Sequence, residues 1–100
     1  MKTYIDKVVE MVKKETGLKS KNLVRIYALL VLIKGEQITL KDVHDGWSLD
    51  MNYKEPNPPY CYGHDHLSIV PFSKLSKETQ ERDRKYVDAL KKVARQLKNE

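Results

Sequence analysis

The 100-residue sequence has a single cysteine, Cys61, so no intrachain disulfide can form and a cysteine-framework secreted fold is excluded. The longest apolar run, residues 26–33, is less than half the roughly 20 residues a membrane-spanning helix needs. No apolar stretch followed by a small-residue cleavage site comes after Met1-Lys2. The expectation is a cytoplasmic chain without a membrane segment. Glycine is also scarce: Gly17, Gly35, Gly46 and Gly63 are isolated, so neither a phosphate-binding loop nor a dinucleotide fingerprint is present.

What is present is charge and helical periodicity. Nineteen Lys and Arg against fourteen Asp and Glu give a net charge of +5, which favours anionic partners without choosing among them. At this length one hydrophobic core, and hence a single domain over residues 1–100, is expected. Ile5, Val8, Val9 and Val12 recur at helical spacing over residues 3–15, and Gly17 follows where a helix would end. Ser20 or Asn22 can cap a second helix whose broad apolar face runs through Leu23, Ile26, Tyr27, Leu30 and Val31, widened by Leu29 and Ile33. It should stop near Gly35.

Thr39 caps a short third helix, with Asp42 in its first turn and Leu40, Val43 and Trp47 on one face; Gly46 predicts an end close to Trp47. Residues 52–71 hold all four prolines, which prevents helix through Asn57-Pro58-Pro59. An ordered aromatic loop is expected there, with short strand pieces at residues 60–62 and 67–70. Ser76 then caps one long C-terminal helix running toward Leu97, supported by Glu78–Arg82 and Glu81–Lys85 pairs. The fold class is therefore mainly α with short β pieces (α+β). The expected core is Ile5, Val8, Val12, Leu23, Ile26, Leu30, Val43, Val70, Phe72, Leu75, Leu90 and Val93.

Several chemistries compete for the loop. Cys61 with His64 or His66 is the one candidate nucleophile pair, but nothing around it would form an oxyanion hole. Cys61, His64, Asp65 and His66 are metal-ligand types, yet they fall within six residues, whereas structural zinc sites draw ligand pairs from two separated segments. Hence no enzyme, metal or cofactor is expected. Residues 22–51 have the lengths of a helix-turn-helix. The would-be recognition helix carries Asp42 and Asp45 against Lys41, which disfavours an anionic duplex. The aromatic side chains Trp47, Tyr53, Tyr60 and Tyr62 could stack on a planar base, or could pack the irregular half onto the helices.

From His44 onward the order of motifs resembles the ryanodine-receptor repeat (RyR domain), in its free-standing bacterial or phage form. His44-Asp45-Gly46-Trp47 matches the repeat's histidine and tryptophan at a helix end. Pro59-Tyr60-Cys61-Tyr62-Gly63 corresponds to its Gly-Trp-Thr-Tyr-Gly motif, with Tyr60 standing where channel repeats carry tryptophan. His66 and the segment Ile69-Val70-Pro71-Phe72-Ser73-Lys74-Leu75 follow, and Asp83-Arg84 matches an Asp-Arg pair in the next helix. The resemblance covers residues 40–95 and leaves residues 1–38 as a helical N-terminal extension. It implies a non-catalytic ligand-binding module that senses an adenine-type, nucleotide-derived small molecule. Together with the basic stretch that opens the following helix, this makes Trp47, Tyr60 and Tyr62 the expected site for the base, with Arg82, Arg84 or Lys85 meeting its phosphates and His66 mainly ordering the loop. The alternatives are a protein–protein interaction module without a small ligand and a helix-turn-helix-like DNA-binding protein.

Overall fold

The computed structural model describes residues 1–56 and 63–100. Among the described residues five helices follow one another: α1 (Tyr4–Thr16), α2 (Lys21–Lys34), α3 (Leu40–Tyr53), α4 (Lys77–Glu81) and α5 (Arg84–Lys98), with short 3-10 turns at Gly35–Gln37 and Phe72–Lys74. The ends of the first three are set by local chemistry. Thr3 and Thr39 each close a capping box: the threonine hydroxyl accepts from the backbone of Asp6 or Asp42, whose carboxylate accepts from the threonine N–H in return. Ser20 caps α2 by accepting from Leu23 N. Gly17 ends α1 in the left-handed region at φ 68°, its N–H donating to Lys13 O.

The core forms where α1, α2, α3 and α5 turn their apolar faces inward. Val8 and Val12 of α1, Leu23, Val24, Tyr27, Ala28 and Val31 of α2, Val43 of α3, and Val87, Leu90, Val93 and Ala94 of α5 make one buried cluster, closed by Ile38 between the 3-10 turn and α3. Tyr27 crosses from α2 toward α3, and its hydroxyl donates to Val43 O at 3.5 Å. Asp50 is a buried carboxylate that ties the same two helices. Its Oδ1 accepts from Asn22 Nδ2 at 3.0 Å and from Ser20 Oγ at 3.4 Å. Its Oδ2 lies 2.8 Å from Lys54 Nζ, an ion-pair contact without hydrogen-bond alignment.

The structure corrects several expectations. Helix α3 does not stop at Trp47 but runs on to Tyr53. Glycine is used at position 46 for close approach, because a Cβ there would sit 3.0 Å from Ile26 Cγ2 and 3.2 Å from Tyr27 Cε1. The contact between α2 and α3 that this allows offsets the roughly 1 kcal/mol helix penalty of glycine. No strand occurs among the described residues. Residues 67–70 are held in turns by Ile69 N donating to His66 O, with no ladder partner, and residues 60–62 lie outside the described residues.

The C-terminal helix is also broken, at Arg82 and Asp83, so the expected Glu78–Arg82 and Glu81–Lys85 pairs give way to a two-pronged Arg84–Glu81 contact at 3.0 and 3.1 Å. Of the expected core, Ile5 and Val70 are exposed, while Phe72, Leu75, Ile26 and Leu30 are half-buried. Leu29 and Ile33 face outward because α2 is apolar around most of its circumference and its neighbours cover only one side.

Candidate functional site

A groove forms where the irregular segment after Gly63 lies against α3. His44, Trp47 and Ser48 share one face of α3, at i, i+3 and i+4. His44 is buried, and its Nε2 lies 2.7 Å from Val70 O, so this nitrogen carries the proton and donates. Ser48 Oγ sits 3.3 Å from the same nitrogen. The Trp47 indole stacks on His44 with ring centres 5.8 Å apart and receives His66 edge-on at 4.9 Å. Phe72 tilts against His44 at 6.1 Å.

The segment itself is pinned at both ends. His64 N donates to Lys54 O at 2.8 Å and His64 Nδ1 donates to Asn52 O at 2.9 Å, which fixes the start of the segment to the end of α3. Gly63, at φ 85°, is required there, since a Cβ would come within 2.5 Å of Glu55 O. His66 Nδ1 accepts from Ser68 N at 3.0 Å, which orients the imidazole. At the far end Gln80 Nε2 donates to both Phe72 O and Leu75 O, tying α4 to the 3-10 turn.

These contacts leave a cavity of about 200 Å³. His44, Trp47, His66 and Ser68 line one side, and Leu75, Thr79, Arg82 and Asp83 the other. The break between α4 and α5 is what brings Arg82 and Asp83 to the cavity wall. Burial raises the Asp83 carboxyl above the ordinary aspartate value, with His44, Lys85 and Arg82 drawing it partly back. The wall thus combines an indole, two imidazoles, a guanidinium, a carboxyl and two hydroxyls. Such a set can hold a flat hydrogen-bonding group and an anion.

Of the residues singled out in the sequence, Trp47, His66 and Arg82 line this cavity. Arg84 does not; it is engaged with Glu81. Lys85 lies over the Tyr86 ring, 5.0 Å from its centre, and is also outside the cavity wall. Tyr60 and Tyr62 lie outside the described residues. His44, Ser68, Thr79 and Asp83 complete the wall without being among the ligand-binding residues expected from the sequence. His44 was visible as the partner of Trp47 one helical turn away, and Asp83 as the neighbour of Arg84. Among the described residues no group of three or more His, Cys, Asp and Glu side chains is arranged to hold a metal ion, and no helix is long and apolar enough to cross a membrane.

A family model described as Domain of unknown function (DUF7701) matches residues 2–95. The chain belongs to that family. No curated protein and no solved structure matches the chain.

Proposed function

We propose that the domain is a non-catalytic, cytoplasmic ligand-binding module, similar in kind to the RyR repeat, that senses an adenine-type, nucleotide-derived small molecule. The observation that supports this reading most is the convergence of Trp47, His66 and Arg82 on one cavity from three separate stretches of chain: α3, the segment after Gly63, and the α4–α5 break. At about 200 Å³ the cavity is smaller than the roughly 300–1,000 Å³ of a site that encloses a whole ligand. It therefore takes one part of the molecule. The planar base enters beside Trp47 and His66, and the exposed Arg82 meets a phosphate at the mouth. Part of the Trp47 surface is already covered by His44 and His66, so the base meets an edge of this aromatic cluster and not a bare indole face. Tyr60 and Tyr62 belong to the proposal on the sequence motif alone, and Arg84 and Lys85 on the basic stretch of the helix, where they would serve phosphates reaching beyond the cavity.

Calorimetric titration with mono-, di- and cyclic adenine nucleotides tests the reading. Micromolar binding that Arg82→Ala weakens by roughly tenfold, the loss of one charge-assisted phosphate contact, is the expected result. If no member of the panel binds below millimolar concentration, the reading is wrong.

A further inference from the structure

The surface of α2 turned away from the core carries an apolar stripe that no other described element covers. Leu29 and Ile33 are 56% and 65% exposed, and half-buried Ile26 continues the stripe one turn earlier. On one side, a cleft of about 340 Å³ runs between α2 and α1, walled by Ile5, Val9, Ile26, Leu29 and Leu32. On the other, a cleft of about 570 Å³ opens toward α3, where Leu49 and Tyr53 are 64% and 85% exposed. Asn22 and Ile26 line both clefts, so the two join across α2 into one apolar face contributed by three helices. A contiguous patch of this kind marks an interaction surface, unlike scattered surface leucines.

The charge at one end of this face indicates what covers it. Lys13, Lys19, Lys21 and Arg25 line the cleft where α1 meets the start of α2. The nearby acids are committed elsewhere: Asp6 closes the α1 capping box and Glu10 pairs with Lys2 at 2.6 Å. Among the described residues none of the four cations has an ion-pair partner. The first turn of α2 carries no acidic side chain, so the positive end of the helix dipole adds to the same field. A second copy of the chain meets this face poorly, because a two-fold contact sets the face against itself and adds four more unpaired cations, while the acids each copy brings to that cleft, Asp6 and Glu10, are already engaged.

We propose that the outer face of α2 docks an acidic amphipathic helix of a partner protein. Apolar side chains at i, i+3 or i+4, and i+7 of that helix enter the two clefts, and its Asp and Glu residues face Lys19, Lys21 and Arg25. This surface lies apart from the His44–Trp47 groove and shares no lining residue with it, so it stands whether or not the groove binds a nucleotide.

The probe is a synthetic peptide of about 20 residues, long enough to hold a helix, with leucines at the stated spacing and glutamates flanking them. Its binding is followed by fluorescence anisotropy, with a scrambled peptide of identical composition as control. Saturable micromolar binding is expected for the patterned peptide and not for the scrambled one. Leu29→Glu and Arg25→Glu, both at exposed positions and checked for retained helicity by circular dichroism, should each weaken it by roughly tenfold or more. Equal binding of both peptides, no saturable binding, or unchanged affinity in Leu29→Glu overturns the proposal. So does a concentration-dependent dimer of the parent chain in analytical ultracentrifugation that Leu29→Glu dissolves, since that result assigns the face to a second copy.

Discussion

The four long helices and the segment spanning residues 63–83 are built on different terms. In the helices the inward side chains are nearly sealed: Val12, Val43, Leu90 and Val93 show no exposed surface at all. In the segment, Leu67 is 89% exposed, Val70 faces solvent, and Phe72 and Leu75 are only half-buried. That segment is held by directed hydrogen bonds, through His64, His66 and Gln80, more than by burial. The polar side chains of the candidate groove nevertheless concentrate there and at its border with α3. Stability and candidate chemistry thus reside in different stretches of the chain, and substitutions should separate them.

The largest separation is expected between Leu90→Ala and Phe72→Ala. Leu90 is fully buried at the meeting of α5 with the core, so its truncation should cost about 2–5 kcal/mol in chemical denaturation. Phe72 is half-buried against His44, and its loss should cost clearly less while changing the fluorescence of Trp47, the sole tryptophan. Equal losses for the two variants would show that the segment belongs to the core after all.

Gly63→Ala is the next test, because it attacks the pin of the segment and leaves the core untouched. The left-handed backbone and the approach of Glu55 O within 2.5 Å of a Cβ leave no room for a methyl group, so a cost of about 1–3 kcal/mol is expected. Hydrogen exchange should report it as faster exchange at His64 N and His66 N, with α5 amides little changed. Uniform acceleration across α1, α2 and α5 would contradict the division drawn between the two regions.

A smaller effect is expected at the helix ends. Thr39→Ala removes the hydroxyl that accepts from Asp42 N and opens the capping box at the start of α3, which should cost about 1 kcal/mol. Thr3→Ala opens the same motif at the start of α1, where Tyr4 and Ile5 are exposed and opening the first turn uncovers little buried surface, so its cost in thermal melts should be lower. The reverse order would mean that the α3 start is not held by its cap.

The sequence made the scaffold legible and the segment much less so. Caps at Thr39, Ser20 and Ser76 and the stops at Gly17 and Gly35 follow from local chemistry that operates whatever the rest of the fold does, and all are found. The course of α3 beyond Gly46 was not legible, because a glycine that weakens a lone helix and one that admits a neighbouring helix look identical until Ile26 and Tyr27 are in place. The outward turn of Leu29 and Ile33 was hidden for a similar reason: a helix apolar nearly all round does not say which side its neighbours cover. The break at Arg82–Asp83 has no proline or glycine to announce it, and it is the break that carries Arg82 and Asp83 to the groove. Trp47, His66 and Arg82 could be selected by type and order, whereas Ser68 and Thr79 needed the tertiary contacts.

The smallest expected effect, and the one that bears most directly on the groove, is the pH dependence at Asp83. Burial raises its carboxyl above the ordinary aspartate value in the folded chain, so between these two values the folded state binds more protons than the unfolded one. Stability from this group is therefore present at low pH, falls as pH rises through that window, and stays at the lower level up to neutrality. Asparagine has a similar shape and does not ionise, so Asp83→Asn should match the parent near pH 3 and exceed it slightly near pH 7. Because the group is only half-buried and close to Arg82, Lys85 and His44, solvent and neighbouring cations keep the gain small. Paired urea titrations of the two proteins at several pH values cancel every other titration and isolate the difference. A gap that does not change with pH would show that Asp83 is as well solvated as in the unfolded chain. A variant less stable than its parent at pH 7 would show that the carboxylate is held by the cations beside the groove, and not merely tolerated there.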